Sequence, residues 1–483
     1  MLTSPRLSTI QGFIGGRWDA GTSGQTFAVR NPATGDLLAQ VPAFSAADTQ
    51  RAVAAANAAQ QNTLPLQRRA EILRQLADLI TEHRAELGRI ITLEHGKPWP
   101  EAQTEADYAA SFFRFYSGAV SHLQPRILEE RPRNHRWQVR YRPAGVAALI
   151  SPWNFPLAMA AKKLSAALAA DCSCVVRPSS RAPLSMMALF HLMQRLDLPD
   201  GKVNLVVGPA GEISSVLCEH PDVRVISFTG STAVGRDLSI AAAPHLKRLS
   251  LELGGNAPFI VFPDADVTAA LDHLVANKFR GAGQTCVCAN RVYVHRDIAE
   301  RFTAALSERA DALKLGNGMD EGVDIGPLID RRAFEKVAAC VRDAEAQGAV
   351  RKTQRTATAP TSDHGCYFPP TVLCGVTDRM SCAGEEIFGP VVPVIAFSDE
   401  AEVVRAANAT EYGLAAYLFT ANSDLAERMI AQLHFGHVGW NSGTGPTAEA
   451  PFGGMKASGY GREGGTEGLH DFIDTQTIPC PER

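Results

Sequence analysis

Between residues 146 and 243 four apolar runs alternate with four segments of helical pattern. VAALIS leads into LAMAAKKLSAALAAD, SCVVRP into SMMALFHLMQRL, VNLVVG into ISSVLCEH, and RVISFTG into TAVGRDLSIAAA. Strand, turn and helix repeat in that order, which argues for right-handed βαβ units around a parallel sheet. A second α/β block begins near NAPFIVF (256–262) and includes RVYVH, TVLCGV and AAYLFT. The 483 residues exceed one ordinary core, so two or three domains are expected.

Ahead of this region, FIGGRW and FAVRNPATGDLLAQV look like short strands broken by Gly and Asn-Pro turns. Over residues 66–98, Ile72, Leu73, Leu76, Leu79, Ile80, Leu87, Ile90 and Ile91 recur at helical spacing, and Gly96 and Pro98 end the run. One long amphipathic helix is predicted there. Residues 351–365 are polar, poor in pattern and read as a surface loop.

Composition removes several classes. A net charge of -4 with scattered Lys and Arg supplies no basic field for a phosphate backbone, so no nucleic-acid partner is expected. The N-terminal stretch lacks a leader pattern and no segment reaches membrane-spanning apolar length, so an unexported, cytoplasmic protein without a membrane partner is expected. Ten Cys in so long a chain do not form a disulfide framework, and none shows zinc-type spacing. No metal site is expected.

Three stretches carry chemistry. In FTGSTAVG (228–235) an apolar strand ends in a Gly-Ser-Thr turn before a helix, which can receive a phosphate or be a plain capped turn. In LELGG (251–255) Glu252 lies between leucines; such a carboxyl has a raised pKa suited to a general base, or is a buried partner of a Lys. In KFRGAGQTCVCAN (278–290), Cys286 follows small and polar residues and is a candidate nucleophile whose pKa a nearby helix end or donor set lowers. A core thiol is the alternative, and the CxC spacing suits a tetrahedral metal poorly.

SPWNFP (151–156), RPS (177–179), FTGSTAVG, LELGG, GQTCVCANR (283–291), EEIFGP (385–390) and PFGGMKASGYGREGG (451–465) resemble, in order and across nearly the whole chain, the motif series of the aldehyde dehydrogenase superfamily. The resemblance implies an α/β fold with a Rossmann-like cofactor domain (1–122 and 143–254), an α/β catalytic domain (255–460) and a small β oligomerisation arm (123–142 and 461–483). It implies Cys286 as the nucleophile forming a thiohemiacetal and then a thioester, Asn154 as oxyanion donor, and Glu252 as activator of the hydrolytic water. NAD or NADP is the implied cofactor, held by Trp153, Arg177, Ser180, Gly230, Ser231, Glu386 and Phe388. Arg177 stands where relatives carry Lys, and Ser180 where NAD-preferring relatives carry an acidic residue, so NADP is expected to be accepted and favoured.

KFRGAGQTCVCANR and FTGSTAVGR look most like the succinate-semialdehyde dehydrogenase branch, in which an Arg at the position of Arg280 grips a distal carboxylate. The branch's second such Arg falls on Lys162, and a Ser before PFGG falls on Pro446. Phe155 and Phe452 are implied to line the aldehyde. The expected substrate is a small anionic aldehyde, succinic semialdehyde first, with glutarate or 2-oxoglutarate semialdehyde or a sulfonated aldehyde such as sulfolactaldehyde as alternatives. A catalytically silent cofactor-binding protein is the non-enzyme alternative. Cys288 is implied as a redox companion of Cys286, with a buried strand residue as its alternative, and a homodimer or homotetramer as the assembly.

Overall fold

The computed structural model describes residues 10–130 and 132–481. The first nine residues, on which part of the leader expectation rests, residue 131 of the expected arm and its last two residues lie outside that range.

Five parallel strands, in spatial order Arg248–Glu252, Val223–Thr229, Val146–Ile150, Cys174–Arg177 and Val203–Leu205, form the centre of an eight-stranded sheet. Antiparallel strands close it: Gly459–Tyr460 at one edge, Gly12–Ile14 and Arg17–Asp19 at the other. In Val146–Ile150, Ala147 and Leu149 pack into the core on one face, while Val146, Ala148 and Ile150 pack into a second core on the other. Burial on both faces is what turns the usual alternation into the continuous apolar run seen in the sequence.

A seven-stranded sheet follows the order Val350–Arg351, Thr371–Cys374, Val391–Phe397, Ala289–His295, Ala257–Val261, Ala415–Phe419 and His437–Trp440. All its neighbours are parallel except the first pair, and it has its own core. A third, antiparallel sheet joins Arg126–Ile127, His135–Pro143 and Ile473–Pro481, with Ile473 opposite Pro143 and Pro481 opposite His135.

Three details differ from the sequence expectations. The predicted long helix is two, Leu66–Glu82 and Arg84–His95, because His83 leaves helical geometry at φ -96°, ψ 16°. Its imidazole is held by Glu86 Oε2 at 2.8 Å and by the Arg195 guanidinium at 3.1 Å, contacts invisible to local pattern. Gly459–Tyr460 falls in the span expected for the catalytic domain yet pairs with Leu251 and Glu252 of the first sheet. Gly459 has φ 102°, and a Cβ there would lie 2.0 Å from the Leu251 carbonyl oxygen, so only glycine permits the approach. Residues 467–472, expected in the arm, form a 3₁₀ turn instead.

Candidate active site

The candidate residues collect where parallel strands of the first sheet end. Asn154 follows Val146–Ile150, while Arg177, Thr229 and Glu252 are the last residues of their strands. Open α/β sheets bind ligands at these carboxyl ends. Cys286 arrives from the other half: the helix Val267–Phe279 stops, and a tight turn Arg280–Gly283, with Gly281 and Ala282 both at φ 57°, redirects the chain. The outcome is a contact between Cys286 Sγ and Glu252 Oε1 at 3.6 Å.

Burial, and then the Glu252 charge, hold the Cys286 thiol well above the usual cysteine range. This corrects the expectation of a lowered pKa: the sulfur rests as a thiol and needs a base. Asn154 is buried; its Nδ2 donates to the Gln284 carbonyl at 2.9 Å, which leaves the second amide hydrogen for another acceptor. The Cys286 backbone N–H has no acceptor among the described residues. Asn154 is fixed from behind, since Lys97 Nζ donates to its carbonyl at 2.8 Å and to Glu105 Oε2 at 2.6 Å. Glu105 Oε1 in turn accepts from the N–H groups of Leu157 and Ala158 at 2.9 and 3.2 Å, where the helix Ala158–Ala169 begins.

Glu252 is not alone. Lys162 Nζ lies 2.6 Å from Glu252 Oε2 and 2.5 Å from Glu463 Oε2. Lys163 Nζ binds Glu463 Oε1 and donates to Thr229 Oγ1 at 2.7 Å. Burial works to raise both carboxyl groups; at Glu463 the two ammonium groups overcome it and hold that carboxyl well below the usual range. Glu252 stays above its usual value, because burial and the Glu463 charge outweigh the pull of Lys162. Neither Lys163 nor Glu463 had been singled out from sequence; the only signals were the doubled Lys in a helix of continuous apolar character and the Glu of GREGG.

On the cofactor side, Trp153 stacks on His95 at 5.8 Å and meets the Phe388 ring edge-on at 5.8 Å. Phe388 has φ 57°, a strained conformation for a bulky residue that often accompanies a binding role. Buried Arg177 donates from Nη2 to the Gly208 carbonyl at 3.3 Å, the same carbonyl that Ser180 Oγ reaches at 2.9 Å, while Arg177 Nε has no partner. Among the described residues the Glu386 carboxylate accepts only the Gly255 N–H, at 3.1 Å, and burial pushes its pKa up to about 7. A Cβ on Gly230 would sit 2.3 Å from the Phe228 ring, and Ser231 caps the helix Thr232–Ala242. An unpartnered guanidinium nitrogen, a nearly unpartnered carboxylate and a capped helix N-terminus are a donor and acceptor set that fits a dinucleotide.

On the substrate side, the Arg280 guanidinium lies 5.3 Å from the Phe155 ring centre with Nε unpartnered. The loop bearing Pro446 closes over it: a Cβ on Gly445 would be 3.6 Å from Arg280 Nη2. Phe452 sits 5.6 Å from Lys162 Nζ and pairs by backbone with Glu463. Lys162 itself, expected to face the substrate anion, is buried against two carboxylates. Cys288 is buried; its sulfur lies 3.7 Å from Lys278 Nζ and donates to the Gly283 carbonyl at 3.5 Å.

The aldehyde dehydrogenase family pattern matches residues 18–478 of the chain. A 3-sulfolactaldehyde dehydrogenase of Pseudomonas putida is 44% identical over 481 residues, covering 99% of this chain and 98% of that protein. An NADP(+) succinate-semialdehyde dehydrogenase of Escherichia coli is 43% identical over 477 residues, covering 98% of each. The crystal structure of an oxidoreductase from Marinobacter aquaeolei superposes with a TM-score of 0.96 at 53% identity, over 99% of this chain and 100% of that one.

Proposed function

Because the chain belongs to the aldehyde dehydrogenase family, we propose that it oxidises an aldehyde bearing a distal anionic group to the carboxylic acid with NAD or NADP, succinic semialdehyde first. The observation that carries the chemistry is the 3.6 Å contact between the half-buried Cys286 thiol and the buried Glu252 carboxylate at the end of its strand. Glu252 takes the thiol proton as Cys286 Sγ bonds to the carbonyl carbon. The oxyanion so formed accepts hydrogen bonds from Asn154 Nδ2 and the Cys286 N–H, donors worth about 3–4 kcal/mol each in comparable sites. Bound NAD(P) would supply the hydride acceptor that turns the thiohemiacetal into an acyl thioester on Cys286. Glu252 releases that first proton to solvent, takes a second from the water that attacks the thioester, and returns it to the Cys286 sulfur as the C–S bond breaks and the acid departs.

Trp153, Arg177, Ser180, Gly230, Ser231, Glu386 and Phe388 would hold the dinucleotide. NADP is the favoured form, since residue 180 presents a hydroxyl where a carboxylate would repel a 2′-phosphate. Arg280 supports the anionic substrate: its fork lies beside Phe155 with a nitrogen unused. The names of the Pseudomonas putida and Escherichia coli relatives, both for aldehydes with a remote anion, favour the same class. The two large sheets support a division into a cofactor and a catalytic domain, and the long outer strand Ile473–Pro481 of the small sheet is an edge suited to pairing subunits into a dimer or tetramer. Ten unpaired cysteines suit a reducing cytoplasm.

The test is NAD(P)H formation by the purified, thiol-reduced protein with succinic semialdehyde, sulfolactaldehyde and neutral butanal, each with NAD and with NADP. A clear kcat/KM advantage for the anionic aldehydes supports the reading. Equal or better use of butanal overturns the substrate class, and no turnover with any of them overturns the enzyme reading.

A further inference from the structure

The helix Ala158–Ala169 is buried along its whole length and nevertheless carries two adjacent lysines. A buried ammonium persists only where carboxylates and hydroxyls compensate it. Lys163 has the Ser227 and Thr229 hydroxyls and Glu463. Lys162 has Glu252 Oε2 at 2.6 Å and Glu463 Oε2 at 2.5 Å. A cation bridging two carboxylates at these distances has little charge left for a third. From this geometry, and resting on the aldehyde dehydrogenase reading, we infer that Lys162 is a positioning residue for the base Glu252, and that the distal anion of the substrate is read by the Arg280 fork without a second cation.

The contacts show what Lys162 does for the base. It ties down Oε2 and leaves Oε1 aimed at Cys286 Sγ, 3.6 Å away. Without it, Oε2 would keep, among the described residues, only the Thr229 hydroxyl at 3.4 Å, and Glu252 would face the Glu463 carboxylate. Two carboxyl groups so placed share a proton, and a base that holds a proton cannot accept one. The charged and titratable groups facing Glu252 are Lys162 and Lys163 from this helix, Tyr108 from the helix Trp99–Ala119, Glu463 from the C-terminal segment and Cys286 from its turn; Glu386 acts on Cys286. Among the described residues only Lys162 touches both Glu252 and Glu463 as a cation.

The experiment compares wild type with K162M and K162R on p-nitrophenyl acetate, a neutral ester that acylates a thiol without cofactor or distal anion, and on succinic semialdehyde and butanal. In K162M the ester should give a burst of p-nitrophenol followed by slow turnover, and the acid limb of the steady-state rate should move up by about 1–3 pH units, the usual effect of losing an adjacent opposite charge. Its KM ratio for succinic semialdehyde over butanal should stay within threefold of wild type. K162R, which keeps the charge, should keep the limb and that ratio. The inference is overturned if K162M retains the wild-type limb while its KM for succinic semialdehyde alone rises tenfold or more. Should K162M not fold, a K162R that lowers KM for succinic semialdehyde tenfold against butanal overturns it as well, while an unchanged ratio supports it. If wild type oxidises neither aldehyde but the ester pattern holds, the aldehyde reading falls and the role of Lys162 toward Glu252 stands.

Discussion

Replacing Arg280 by Gln removes the fork while keeping a polar side chain of similar reach. A charge-assisted hydrogen bond contributes about 1.5–3 kcal/mol, and a guanidinium offers a carboxylate two in parallel. Arg280 is half-buried, so screening by solvent sets the sum at the lower end, about 3 kcal/mol, or roughly 150-fold in kcat/KM for succinic semialdehyde. The contact with the Phe155 ring at 5.3 Å is lost for every substrate alike and costs about 0.5–1 kcal/mol, a few-fold at most. Arg280 also acts electrostatically on the Glu101 carboxyl, one oxygen of which has no partner, so its removal leaves an acidic group nearby that opposes an anion further. The preference for succinic semialdehyde over butanal should therefore fall by about two orders of magnitude, measured as the ratio of kcat/KM values at fixed pH and ionic strength. Equal losses for the two aldehydes would refute the reasoning and move the anion site elsewhere.

Glu252→Gln should still release up to one equivalent of NAD(P)H per subunit, slowly, while steady-state turnover falls by about 10²–10⁴, the usual worth of a general base; unimpaired turnover in stopped-flow and steady-state assays would remove Glu252 from that role. Glu386, protonated below about pH 7, becomes a full acceptor for ribose hydroxyls only above it, so the Kd of NAD(P) by fluorescence titration should fall as pH rises through about 7, and Glu386→Gln should flatten the dependence. The linkage has the opposite sign for stability: a raised carboxyl pKa contributes stability below the ordinary carboxylate range that is lost as pH passes about 7, visible as a Tm difference between wild type and Glu386→Gln. Lys97→Met leaves Glu105 buried and unpaired 2.6 Å from where its partner stood, a loss of about 3–5 kcal/mol in chemical denaturation that a second change, Glu105→Gln, should largely restore.

The parallel sheet was legible because its strands are covered on both faces, so their apolar runs needed no partner to be recognised. Glu252 was legible for a related reason, since a carboxyl between leucines at a strand end has few ways to be solvated. What pattern could not supply was pairing at long range. Lys162 finds Glu463 some 300 residues away along the chain, and the length of that separation hides the contact from any local spacing rule. His83 breaks a helix whose apolar periodicity runs through it, because the imidazole is captured by Arg195 from the turn that follows the helix Leu184–Met193. The sign of the Cys286 shift was misread for the same cause: small neighbours in sequence suggested an open, donor-rich setting, whereas the folded chain leaves the half-buried sulfur poorly solvated and beside an acid.

Charge balance ties these features together. With Glu252, Glu463, Lys162 and Lys163 all ionised, the cluster is neutral, and in a buried setting any odd charge is expensive. A resting Cys286 thiolate would add one negative charge against Glu252, which is why the thiol keeps its proton. In the proposed reaction that proton leaves as the negative charge passes to the carbonyl oxygen, which the Asn154 amide and the Cys286 N–H would bind. The proposed nucleophile would thus be latent until an aldehyde is in place. A substrate anion would disturb the same balance if it were brought to Lys162, whereas at Arg280 it meets a cation with an unpartnered donor and leaves the base undisturbed. In the proposed arrangement, separating the charge that reads the substrate from the charge that holds the base would let substrate recognition vary without resetting the pKa of Glu252.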